Sequence, residues 1–132
     1  MDNFDLRSYL SSNPLTEEIS VLEGIDFLKR VGINLQINEA IDQKALDVLK
    51  IASTLDGELN TDTEKAIFDF VNLGINTQDA KDLLDPTLTE EEKDEEKNKA
   101  FMNIVRNLQK IGKTNLLPLI MALTIMSNAV KQ

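Results

Sequence analysis

Apolar residues recur along this chain at spacings of three and four. Ile19, Leu22, Ile25, Leu28 and Val31 make one stripe. Ile37, Ile41, Ala45, Val48, Ala52 and Leu55 make a second. Ile67, Phe70 and Val71 make a third, and Phe101, Ile104, Val105, Leu108 and Ile111 a fourth. This is the period of a helix that buries one face. No long stretch alternates apolar with polar, and Asn-Gly hairpin turns are absent. The pattern predicts an all-α protein, a single compact bundle of six to seven helices around an apolar C-terminal helix. The predicted segments are a short helix near 4–10, then 15–31, 38–55, 62–73, 77–84, 89–111 and 116–130. One domain spans 1–132, with 1–13 as a peripheral segment and 85–99 as an acidic connection and helix start.

The punctuation supports these boundaries. Gly32, Gly57, Gly74 and Gly112 each follow a periodic run. A glycine there adopts the left-handed conformation cheaply, and the next apolar residue, Ile33 or Ile75, packs back on the helix. Asn13-Pro14, Asn38, Thr61 and Thr89 mark starts, and Thr61 and Thr89 carry Glu64 and Glu92 three residues on, the spacing of a capping box. Shared cap chemistry accounts for the likeness of F-L-K-R-V-G-I-N at 27–34 to F-V-N-L-G-I-N at 70–76 better than an internal repeat does.

Two segments stand out. Residues 89–99, T-E-E-E-K-D-E-E-K-N-K, read as a solvated helix start. Acids there suit the helix dipole, and Glu95 with Lys99 makes a favourable pair. The sharper alternative is a docking surface for a basic partner. The last helix is apolar nearly all round, which predicts a surrounded central position, or else a homo-oligomer contact through Met121 and Met126.

Composition narrows the chemistry. The 132 residues include no Cys, His or Trp. That removes disulfides, thiolate nucleophiles and imidazole bases. The net charge of −9 disfavours direct nucleic-acid binding. The opening M-D-N-F-D-L-R-S-Y-L lacks a basic region and a long apolar core, so no signal peptide is expected. The most apolar stretch, 116–126, is too short to span a bilayer. The expectation is a soluble cytoplasmic protein with no membrane partner.

One stretch offers candidate chemistry. In L-D-G-E-L-N-T-D-T-E, residues 55–64, an oxygen-bearing side chain stands at every second position from Asp56 to Glu64. Calcium takes six to eight oxygens. Starting an EF-hand frame at Asp56 puts Thr61 where Gly is needed and Ile67 where a bidentate Glu is needed. Starting it at Ala52 loses the first and last ligands. The simpler reading is a C-cap at Gly57 followed by a capping box from Thr61 to Glu64. Asp56, Glu58 and Glu64 stay as candidate metal ligands for a weakly bound divalent cation, and no other cofactor is expected.

The run from Ala45 to Leu84, with its helix ending at Asp-Gly, an acidic turn, a second helix and a Gly-containing turn, resembles the TerB-like family of tellurite resistance. The resemblance implies an all-helical stress-response domain whose acids near the Asp-Gly turn bind a metal, here Asp56 and Glu64. This chain departs by one residue in the spacing from Asp-Gly to the helical Glu. Separately, M-D-N-F-D-L-R-S-Y-L resembles the openings of small proteins of marine tailed phages. That likeness implies a docking or packaging peptide carried by Phe4, Leu6, Tyr9 and Leu10. The simpler reading tucks Phe4, Leu6 and Leu10 onto the bundle.

With these residue types, the expected function is a non-enzymatic acidic module that binds a protein partner or assembles with itself. A carboxylate-pair hydrolase needs a buried cleft with a raised pKa. A nucleic-acid mimic needs acids gathered on one face, and here they are spread over every predicted helix.

Overall fold

The computed structural model describes residues 15–35 and 43–130, with side-chain surroundings for 22–35 and 43–128. Among them lie six α-helices and no strand: α1 (Leu15–Arg30), α2 (Gln43–Leu55), α3 (Thr61–Val71), α4 (Thr77–Leu84), α5 (Glu95–Ile111) and α6 (Leu117–Val130). Short 3-10 turns occupy Glu90–Glu92 and Thr114–Leu116. The predicted helix near 4–10, the Asn13-Pro14 and Asn38 starts, and the phage-like segment with Phe4, Leu6, Tyr9 and Leu10 lie outside the described residues.

Most described stripe residues join the core, except Leu22, which is 45% exposed, while Phe27 and Leu49, outside the stripes, enter it. Phe27, Leu28, Val48, Leu49, Ile67, Phe70, Ile104 and Leu108 are all at most 1% exposed. α1 packs on α2, α3 packs on α5, and α6 packs against α2, α3 and α4. Phe70 of α3 and Phe101 of α5 meet with ring centroids 6.3 Å apart and planes tilted by 44°, a geometry that favours aromatic pairs. On α6, Ile120, Met121 and Leu123 are buried, while Leu117, Leu119, Ile125 and Met126 are half-buried. Its buried hydroxyls bond within the helix, Thr124 Oγ1 donating to the Ile120 carbonyl at 2.9 Å and Ser127 Oγ to that of Thr124 at 3.0 Å. Those bonds offset the cost of taking the hydroxyls out of water.

Two glycines set distances between helices. Gly24 lies where α1 crosses α2, and a Cβ there would sit 2.5 Å from the Leu49 carbonyl oxygen. Gly32 ends α1 with φ +78°. The Gly32 amide donates to the Lys29 carbonyl and that of Ile33 to the Leu28 carbonyl, closing the expected cap with Ile33 buried. A Cβ at Gly32 would lie 2.6 Å from the Phe68 ring of α3. The turn thus brings the end of α1 against α3.

The starts of α3 and α5 differ from the sequence expectation. The residue that caps α3 is Asn60, whose side chain accepts from the Thr63 amide at 2.9 Å and the Thr63 hydroxyl at 2.6 Å. Thr63 is fully buried, so capping and packing act on the same residue. The Thr89–Glu92 capping box forms, but it closes a single 3-10 turn. The chain then turns extended at Lys93, and Asp94 caps α5 by accepting from the Lys97 amide at 2.9 Å. The predicted helix at 89–111 therefore begins six residues later.

Candidate interaction site

Two polar regions emerge, and they share α3. The first is the corner where α1 ends. Arg30 occupies the last turn of α1, and its side chain runs over the Phe27 ring, the guanidinium carbon 5.5 Å from the centroid. The guanidinium donates to Asp26 one turn back on α1 and to Asp56 in the α2–α3 turn. It also donates to both oxygens of Glu64 on α3, at 3.3 and 3.4 Å. Hydrogen bonds from the guanidinium to Asp56, and then to Glu64, hold Arg30 above its ordinary pKa.

The structure thus brings two of the three candidate metal ligands, Asp56 and Glu64, together on the planar fork of an arginine. Glu58 turns the other way and accepts from Lys113 Nζ at 2.9 Å. Among the described residues no group of three or more carboxylates is placed to hold a metal ion. A divalent cation does not fit this set, because the guanidinium already occupies the point where the carboxylates converge. Sequence reasoning missed Arg30. It lies 26 residues from Asp56 and 34 from Glu64, and no local spacing rule joins them.

A second set of bonds ties α4 to the start of α5. Asn76 and Asp79 form a reciprocal capping box on α4. Lys97 Nζ reaches back to Asp79 Oδ2 at 3.1 Å, and Lys93 Nζ donates to the Leu83 carbonyl at 3.2 Å near the end of α4. In the linking turn, Asp85 accepts from the Thr87 amide at 2.8 Å and the Thr87 hydroxyl at 2.6 Å. The hydroxyl and then the amide bond hold the Asp85 carboxyl below its usual pKa.

The second region is the outward face of α5. A hollow of about 530 Å³ lies between α3 and α5. Leu73 and Ala100 give it an apolar floor, and its rim carries Asp69, Glu96, Lys99, Asn103 and Arg106. On the other side of α5 a second hollow, about 290 Å³, is lined by Glu90, Glu95, Asn98 and Met102. Lys99 and Arg106 line both hollows and form the ridge between them. The expected Glu95–Lys99 pair does not form. The side chains of Lys99 and Arg106 make no ion pair or hydrogen bond with any described residue.

This face can bind by charge and by a modest apolar floor. Among the described residues every buried side-chain nitrogen and oxygen has a hydrogen-bond partner. No described helix is long and apolar enough to cross a membrane. Compared with known proteins, the chain matches no family model, no curated protein and no solved structure.

Proposed function

We propose that this protein is a non-enzymatic helical interaction or assembly module that works through the outward face of α5. The observation that carries the reading is the open α3–α5 hollow, where an apolar floor meets two cations, Lys99 and Arg106, that no described residue neutralises. Arg30, Lys93, Lys97 and Lys113, by contrast, hold acceptors on other elements. Lys99 and Arg106 differ from other surface cations that no described residue pairs, such as Lys44, Lys65 and Lys81, in lining this hollow. Charged groups on the rim of an apolar floor orient a partner and set the rate of encounter more than they set affinity. The absence of histidine and cysteine from the sequence agrees with a role in contact.

The TerB-like alternative, a stress-response domain with a weak divalent-cation site, rests on Asp56 and Glu64 converging. That site requires Arg30 to leave. Calorimetry with calcium, magnesium and zinc separates the two readings. Heats equal to buffer dilution are expected, and saturable heat lost in Asp56→Asn would favour the metal.

The interaction reading is tested by a photo-reactive amino acid placed at Asn103, irradiated in cells that express the full chain. A defined adduct that disappears with Arg106→Glu is expected. The absence of any adduct, with the protein shown to be folded, would overturn the reading.

A further inference from the structure

The charges on the exposed side of α5 are sorted by position. Glu95 and Glu96 open the helix, and Lys99, Arg106 and Lys110 follow on the same outward side, with Met102 and Asn103 between. The two hollows beside the cationic ridge are each lined by acids, Asp69 and Glu96 on one side and Glu90 and Glu95 on the other. With acids in its first turn and cations beyond them, this face complements its own image turned by a half rotation, because an antiparallel copy sets the acidic end of one helix against the basic end of the other. Closed pairs of identical chains use such self-complementary surfaces.

Resting on the interaction reading above, we propose that the occupant of this face is a second copy of the same chain, its α5 laid antiparallel across the first. In a register with the two-fold axis near residue 101, Glu96 meets Arg106 of the other copy. Lys99 then lies level with the other copy's Asn103. Each contact occurs twice by symmetry, at sites about 15 Å apart along the helix, from ten residues at a rise of about 1.5 Å each. Leu73, Ala100 and Met102 supply the apolar part.

Magnitudes decide whether two chains of charge −9 can pair. At about 0.15 M salt the screening length is about 8 Å, so repulsion between distant charges is damped while contacting pairs are not. The face is little more than one helix and its flanks, at the low end of the interface size range, which makes the pair concentration-driven.

The test is sedimentation equilibrium on the full chain at about 0.15 M salt, over about 10 μM to about 1 mM. The wild type is expected to pass from monomer to dimer. Arg106→Glu and Glu96→Lys should each weaken dimerisation about 100-fold or more, because each sets like charges in contact. The double variant, Glu96→Lys with Arg106→Glu, should recover it. These two positions lie ten residues apart on one helix, so recovery requires a contact between chains. Circular dichroism checks that each variant folds. A wild type that stays monomeric throughout, or single reversals that leave the dimer intact, would overturn the proposal. A monomer whose Asn103 probe labels a different protein overturns the second copy but keeps the interaction reading, whereas a monomer with no adduct overturns both.

Discussion

The corner around Arg30 and the outer face of α5 are built from similar residues and end in opposite states. At the corner, one cation meets three carboxylates from α1, the α2–α3 turn and α3, above a buried aromatic ring. On α5, Lys99 and Arg106 stand beside Asp69, Glu95 and Glu96 and bond none of them. The difference lies in how each cation is held. Arg30 is fixed by a helix end, a glycine turn and a neighbouring helix, so its partners converge from three elements. Lys99 and Arg106 project from the outer side of α5 beside α3 and the Glu90–Glu92 turn, and no described acceptor reaches them. Charges spent inside a fold stabilise it, and charges left at the surface stay available for another molecule.

The comparison can be broken most strongly at Gly32→Ala. The left-handed φ costs about 1–2 kcal/mol for a residue with a Cβ, and overlap with the Phe68 ring adds about 1–3 kcal/mol. Urea unfolding should show a loss of about 2–5 kcal/mol, with α1 displaced from α3. Arg30→Met comes next. It keeps the cover over Phe27 but leaves Asp26, Asp56 and Glu64 facing each other without a cation. The pairs are partly exposed, so the expected loss is about 1–2 kcal/mol, read as a drop in midpoint that shrinks as salt is added.

Arg106→Glu sharpens the other half. Stability should stay within about 0.5 kcal/mol of wild type, since no described residue bonds the side chain, while self-association falls. A stability loss equal to that of Arg30→Met would show that the two regions are not different in kind.

The smallest effect is expected at Asp85→Asn. The folded carboxyl sits below its ordinary pKa, so the stability it contributes is present above the unfolded value and disappears as pH falls through the folded one. Wild type should exceed the variant slightly at neutral pH and converge with it in acid. A gap that persists in acid would assign the effect to the Thr87 hydrogen bonds alone.

Much of the fold was legible because helix stripes and glycine stops are local signals. The four stripes mark much of the buried faces of α2, α3 and α5, whereas on α1 the stripe residue Leu22 is 45% exposed and Phe27, off the stripe, is buried. Gly32, Gly57, Gly74 and Gly112 all take positive φ. The misplaced starts have local causes too. Thr89 and Asn60 both carry capping chemistry, but sequence spacing does not say whether a capping box continues into an α-helix or closes one 3-10 turn. The site was far less legible. Asp56 and Glu64 were visible as an acidic cluster, yet what they bind depends on Arg30, brought in by the path of α1. The ridge on α5 was hidden by the rule that pairs Glu95 with Lys99, a bond worth only a few tenths of a kcal/mol in water and easily forgone.

Gly24 has a consequence for how the first two helices find each other. With no side chain at the crossing, α1 rests on the α2 backbone at Leu49. Sliding by one residue would bring Glu23 or Ile25 to that point, and neither fits the gap. The glycine therefore works as an index mark: it permits one alignment of the pair and rejects the neighbouring ones during assembly of the fold.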